Sequence, residues 1–329
     1  MRIPRRQVLG LIVGAAGLLT NPQRSGAQSF PTRPITLVAP FPPGGAIDTI
    51  GRLIAERMQE SLGQSVIVEN VSGAAGSIGP GRVVRSANDG YTLSLGTSGT
   101  HVLNGATMSL QYDVLNDFEP IALFSTQPLM IVTRKDMPAK DLKELIAWLK
   151  NNPDKATQGT TGLGSTNHLA GALFQKVTDT RFSFVPYRGT NLAMQDMVAG
   201  RIDMIFDLAS LSLPLVRAGT IKAYAVMAKN RLATAPEIPT VDEAGLPGFY
   251  SSIWIGLWAP KGTPKDATTK INAAVVKAFA NPAVRTKLSE LGHELYPRDQ
   301  QTPEALAVLQ KSEIDKWWPI VKAVGVKAN

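Results

Sequence analysis

Apolar residues fall in short runs that alternate with amphipathic stretches from residue 35 onward. Ile35–Ala39 is an apolar run between Pro34 and Pro40 and predicts a strand. Ile47, Ile50, Leu53, Ile54, Met58 and Leu62 then recur at helical spacing, and Gly63 ends that helix. Val66–Val68 predicts the next strand, Ile78–Ala87 a helix and Tyr91–Leu95 a third strand. Strands linked by helices imply a parallel sheet with right-handed crossovers.

A second series starts at Leu129–Val132, a predicted strand, followed by a helix over Asp141–Asn151 that carries Leu142, Leu145, Ile146 and Leu149. Thr157–Thr161 predicts a strand and Ser165–Thr178 a helix. Phe182–Val185, Leu192–Val198, Ile202–Phe206, Leu211–Ala218 and Ile221–Met227 continue the alternation. Ile253–Trp258 predicts a strand, with three helical stretches from Pro264 onward. The fold expected is α/β and bilobed, with two doubly wound lobes joined by two crossover segments. The crossings are placed near Ile121–Gln127 and near Pro236–Tyr250, where Pro236, Pro239, Gly245, Pro247 and Gly248 break regular structure. Lobe 1 is then 28–126 with 251–329, and lobe 2 is 127–250.

Residues 1–27 read as an export signal. Arg2, Arg5 and Arg6 precede the apolar run Val8–Leu19, and Ser25-Gly26-Ala27 offers a cleavage site. Pro4-Arg5-Arg6-Gln7-Val8-Leu9 admits a twin-arginine signal or an ordinary secretory one. A periplasmic location follows. Net charge is +8, but four of the 34 basic residues and none of the 26 acidic ones lie in 1–27, so the mature chain carries +4. No run of basic residues accompanies that balance, and aromatics are only 6%, which argues against nucleic acid. Cysteine is absent, so neither a disulfide framework nor a thiolate metal site is available.

Two glycine-rich turns hold the candidate chemistry. Pro43-Gly44-Gly45-Ala46 joins a strand to a helix, and Gly162-Leu-Gly164-Ser165-Thr166 occupies the equivalent place in the second series. The first N–H groups of a helix lack intrahelical partners and the macrodipole makes that end positive, which suits a carboxylate or phosphate. Alternatively, glycine only permits a tight corner. Two such turns, one per lobe at the carboxyl ends of strands, favour an anion clamp. Neither turn, nor Gly76-Ser-Ile-Gly79-Pro-Gly81, follows a nucleotide-binding pattern.

Other polar residues keep two readings. Asp48 either meets a ligand or complements its own helix N-terminus. Asp207, at the end of an apolar strand, either accepts from a ligand amine or hydroxyl or caps the next helix; its charge would repel a second carboxylate nearby. His168 reads as a hydrogen-bonded packing residue, His101 is ambiguous, His293 reads as a surface residue and Arg188 as a solvated one. Trp254 and Trp258 share a strand face and read as packing, and Trp317-Trp318 as an anchor for the last helix. Catalysis has little support: Gly96-Thr-Ser98-Gly-Thr100 is not G-x-S-x-G, and no spaced His/carboxylate cluster suggests a metal.

Arg33-Pro34-Ile35 with Pro40-Phe41-Pro42-Pro43-Gly44-Gly45-Ala46-Ile47-Asp48 resembles the opening of Bug-type receptors, the extracytoplasmic solute-binding proteins of tripartite tricarboxylate transporters. Val68-Glu69-Asn70, Gly73-Ala-Ala-Gly76, Asp89-Gly90-Tyr91-Thr92-Leu93, Gly164-Ser165-Thr166-Asn167-His168-Leu169, Pro186-Tyr187-Arg188-Gly189 and Ile238–Gly245 resemble the family in order and spacing. The resemblance covers the mature chain. It implies a periplasmic binding-protein fold that closes on a small carboxylate, held by backbone N–H groups, hydroxyls and water. Carried over, Phe41, Gly44, Gly45, Ala46 and Asp48 form one half of the grip, and Gly164, Ser165 and Thr166 the other. Thr97, Ser98, Thr100, Asn104, Tyr187 and Asp207 would face the far end of the ligand. The receptor is expected to be a monomer without cofactor or catalytic residue that passes its ligand to membrane permease subunits. A periplasmic hydrolase or transferase, or a sensor's binding partner, are the alternatives.

Overall fold

The computed structural model describes residues 30–324, so the export segment 1–27 lies outside the described residues. The first part runs β1 (Ile35–Ala39), α1 (Ala46–Leu62), β2 (Val66–Asn70), α2 (Ile78–Val84), β3 (Thr92–Thr97), α3 (Asn104–Thr107) and β4 (Phe118–Arg134). It continues through α4 (Leu142–Asn151), β5 (Thr157–Thr160), α5 (Thr166–Thr178), β6 (Ser183–Pro186), α6 (Thr190–Val198), β7 (Met204–Leu208), α7 (Ala209–Arg217) and β8 (Ile221–Val226). β9 (Ser252–Pro260), α8 (Lys265–Ala280), α9 (Pro282–Glu290), β10 (Glu294–Leu295) and α10 (Pro303–Val324) complete it.

The strands follow the order β2-β1-β3-β9-β4-β7-β5-β6, with β8 and β10 also paired to β4. β1 is parallel to β2 and β3, and β5 is parallel to β6 and β7, as the alternation predicts for each half. α1 and α8 cover one face of the first half through Ile50, Ile54, Ile271 and Phe279, packed on Leu37, Leu93 and Ile255. Trp254 and Trp258 pack together on the other face with Phe118 and Leu306, a core role in accord with their shared strand face. The second half has its own two cores, one under α4 and α5 and one under α6 and α7.

Both segments expected to carry the crossings are ordered. The segment Ile121–Gln127 is the middle of the 17-residue strand β4, which belongs to both halves. Phe118 to Pro128 pairs with β9, while Leu129 to Arg134 lies between β7 and β8. Two register shifts, between Pro120 and Ala122 and between Leu123 and Ser125, accommodate the local irregularity. The Pro- and Gly-rich stretch Pro236–Tyr250 belongs wholly to the second half. The Val226 N–H donates to the Pro239 carbonyl, the Val241 N–H to the Val226 carbonyl, and Val241 and Phe249 enter that half's core. The chain returns at Ser251 and Ser252, where the Ser251 N–H donates to Met227 and Ser252 pairs with Pro128. Helix α2 stops at Val84, short of the expected Ala87.

His293 is a further correction. It is 5% exposed, because β10 pairs with β4 at Ser125 and Thr126 and draws the preceding residue inside. Its Nδ1 lies 3.1 Å from Ser125 Oγ. Trp318 Nε1 donates to the Val102 carbonyl, 2.9 Å, tying α10 to the first half.

Candidate functional site

The chain turns from strand to helix four times around one cleft. β1 reaches α1 through Gly44-Gly45, β5 reaches α5 through Gly162-Leu-Gly164-Ser165, β6 reaches α6 through Gly189, and β7 runs directly into α7. Gly44 and Gly164 hold φ of +79° and +80°, which a side chain resists, so these corners depend on glycine. The N-cap residues of α1, α5 and α6 are Gly45, Ser165 and Gly189, and none makes a side-chain cap hydrogen bond. α4 and α9 are capped by Asp141 and Asn281, while α2, α7 and α8 also lack side-chain caps.

The turns meet across the cleft. Asn191 Nδ2 donates to the Pro43 carbonyl at 3.3 Å. A Cβ built on Gly189 would stand 2.9 Å from Pro42 Cδ, one on Gly162 would touch Ala75 at 3.5 Å, and one on Gly164 would collide with Thr107. Ala46, at the start of α1, packs in the second half's core, and Leu169 of α5 in the first half's. The halves are thus closed on each other, around a space of about 640 Å³ counted with the open solvent at its mouth.

Seven of the expected residues line that space: Phe41, Gly45, Ala46, Thr97, Ser165, Thr166 and Asp207. The other seven stand outside its wall. Gly44 donates its N–H to Asp48 Oδ2 at 2.9 Å, and Gly164 donates its own to His168 Nδ1 at 3.1 Å. Asp48 also accepts from Arg52 Nε (3.0 Å) and Asn70 Nδ2 (2.9 Å), so it braces the first turn. Burial pushes its carboxyl up, but Arg52, the Gly44 N–H and Asn70 together hold it below the usual carboxylate range. Thr100 pairs with the Thr97 N–H and His101, and Asn104 Nδ2 donates to the Ala75 carbonyl. Ser98 lines a second, smaller cavity beside Trp317, and Tyr187 lines the outer cleft with its hydroxyl on Asp196.

Within the second turn, Ser165 Oγ sits 2.7 Å from both Asn167 Oδ1 and the Gly162 carbonyl, and Asn167 Oδ1 also accepts from Thr161. His168 braces this turn, with Phe184 packed edge-on at 4.4 Å, and burial lowers its imidazole to about 4. It is the packing residue expected. His101 lies wholly inside the protein, stacked on Trp258 at 3.9 Å, and burial lowers it to about 3. Arg188 is exposed.

Asp207 is 1% exposed and lies at the β7–α7 junction. Burial pushes its carboxyl up to about 6, against hydrogen bonding from the Leu208 N–H, Thr190 and Ser212. Sequence reasoning missed the third turn: Gly189, Thr190 and Asn191 line the cavity at the start of α6. The available signal was a glycine between a strand and a helix, the same pattern that singles out the first two turns. Phe206, Leu208 and Ile253 were also missed, because an apolar wall reads as core in a sequence.

Two α/β halves closing helix N-termini on a shared cleft define the class of bilobed periplasmic binding proteins. The family model "Tripartite tricarboxylate transporter family receptor" matches residues 50–326, and the chain belongs to this family. It is 38% identical over 329 residues to the "UPF0065 protein in tcbD-tcbE intergenic region" of a Pseudomonas species, covering 99% of this chain and 96% of that one. The periplasmic binding protein BugD superposes with a TM-score of 0.87 at 35% identity, over 91% of this chain and 100% of that one. The MatC protein of Rhodopseudomonas palustris, solved with bound malate, superposes with a TM-score of 0.86 at 38% identity, over 89% of this chain and 100% of that one. Among the described residues, no helix is long and apolar enough to cross a membrane.

Proposed function

We propose that this protein is an exported receptor that captures a small organic carboxylate between two lobes and hands it to the permease subunits of a tripartite tricarboxylate transporter. Residues 28–126 with 251–329 move as one lobe and 127–250 as the other, and the chain works as a periplasmic monomer after removal of 1–27. The observation that carries the reading is the meeting of three helix N-termini without side-chain caps, α1, α5 and α6, around one closed cavity. Their N–H groups and dipoles offer an anion what water would otherwise supply. The malate-bound relative supports the same ligand class.

Gly45, Ala46, Ser165 and Thr166 grip the carboxylate. Gly44, Asp48 and Gly164 set the turns, and Phe41 and Thr97 wall the site. Ser98, Thr100, Asn104 and Tyr187 shape its surroundings. Ligand favours the closed state only through contacts that the open state lacks, and these are contacts to both turns at once. The protein performs no chemistry on its ligand.

The test is a thermal-shift panel on the chain lacking 1–27, with mono-, di- and tricarboxylates, amino acids and aromatic acids. A ligand at about 100 times its Kd stabilises by about 2.7 kcal/mol, an unmistakable shift. Binding is expected for one chemical class of carboxylate, with the ligand recovered unchanged. A folded protein that answers to no carboxylate, or that turns one over, overturns the reading. Gly45→Val should abolish the shift and leave the fold intact, because a Cβ there meets only the Pro42 carbonyl at 3.5 Å and otherwise faces open space.

A further inference from the structure

We propose that the ligand carries one carboxylate, not two, and that its far end is a hydrogen-bond donor, an ammonium or a hydroxyl, received by Asp207. The inference rests on the receptor reading above and narrows it to a ligand class. It starts from the charges of the cavity wall. Among the described residues, no lysine, arginine or histidine lines the space, and Asp207 is the single ionisable one there. Positive potential comes from helix N-termini and is spent on the gripped carboxylate.

Asp207 is a built feature of the wall. It stands 1% exposed at the end of β7, with its Oδ2 3.4 Å from the Ser212 hydroxyl, while Thr190 and the Leu208 N–H supply the other donors. All three donors are neutral, and an ionised carboxylate has about four acceptor positions. A buried charge without a cation is costly, and a ligand that brings a donor or a positive charge relieves that cost on binding. A second ligand carboxylate in the same cavity would add like charge where no cation compensates it. The cavity is also lined by the apolar side chains of Phe41, Ile47, Leu129, Phe206 and Ile253, which suit a hydrocarbon or aromatic body on the ligand.

Binding should be measured by calorimetry for pairs of matched length: γ-aminobutyrate against succinate, δ-aminovalerate against glutarate, and para-hydroxybenzoate against terephthalate. The donor-bearing member of at least one pair should bind at least about tenfold more tightly than its dicarboxylate partner. Asp207→Asn, nearly the same shape without the charge, should close that gap by weakening the first and improving the second. A dicarboxylate that binds as well as its partner in every pair overturns the inference, even if it establishes a carboxylate receptor. So does an Asp207→Asn variant that folds and keeps the wild-type preference. If the variant fails to fold, the wild-type pairs decide alone. If all six compounds are silent, this ligand class is rejected, and the broader carboxylate panel separately decides whether the receptor reading stands.

Discussion

Asp207, His168 and His293 show how burial writes pH dependence into single residues. The Asp207 carboxyl is raised to about 6 in the folded protein from an ordinary 3.8, so the fold binds its proton more tightly than the unfolded chain does. Its contribution to stability is complete below the unfolded value and is lost as pH rises through about 6. His168 and His293 are lowered to about 4 by burial, so their contribution is present above the ordinary 6.5 and is lost as pH falls toward 4. Asp207→Asn therefore should stabilise the ligand-free protein more at about pH 8 than at about pH 5, by on the order of 1 kcal/mol. Thermal unfolding of both proteins at the two pH values checks this, and an equal effect at both would show that Asp207 keeps an ordinary carboxyl. Asp48 is the opposite case: its carboxylate is satisfied by Arg52, Asn70 and the Gly44 N–H, so it holds a corner. A sequence shows the acid at the helix start in both roles and cannot tell them apart, because the partner Asn70 comes from the next strand.

At the scale of the element, the turn before α5 is the most constrained piece of the cleft. Gly164 is in the left-handed region and faces Thr107 of the other half at a distance that leaves no room for a Cβ. Gly164→Ala should hold the halves apart and weaken ligand binding by about tenfold or more, through backbone strain of roughly 1 to 2 kcal/mol plus the clash. Adding Thr107→Ala should restore part of the affinity, which calorimetry on the single and double variants would show. These turns were legible because each sits between an apolar run and an amphipathic stretch, as Ile35–Ala39 and Ile47–Leu62 do. Of β4, Leu129–Val132 was legible and the part before it was not: Pro120 and Pro128 bracket Ile121–Gln127, and the strand that pairs with it, β9, lies far along the chain. His293 was misplaced for the same reason, since only the pairing of β10 with β4 carries it inside. Local pattern reveals an element's own tendency, whereas long-range pairing decides where it is buried.

For the whole molecule, the proposed function makes closure the event that completes the site. Pro43 and Asn191 face each other across the cleft mouth, and the chain has no cysteine of its own. Pro43→Cys with Asn191→Cys should therefore cross-link rapidly with a short bifunctional reagent when ligand is bound and slowly without it. Mobility on a denaturing gel reads the result, and equal rates would show that ligand does not govern closure. The two halves are linked by a paired strand: β4 continues from one half into the other, and β9 runs beside it until Pro128. The atoms proposed to grip the carboxylate include amide nitrogens at the starts of α1 and α5, and every amino acid but proline possesses one. A substitution leaves such a nitrogen in place and reaches it only by blocking or straining its turn, as at Gly45 or Gly164, whereas Asp207 and the apolar wall are side chains open to direct replacement. Descent with modification can thus retune what such a receptor accepts while the handle it seizes stays the same.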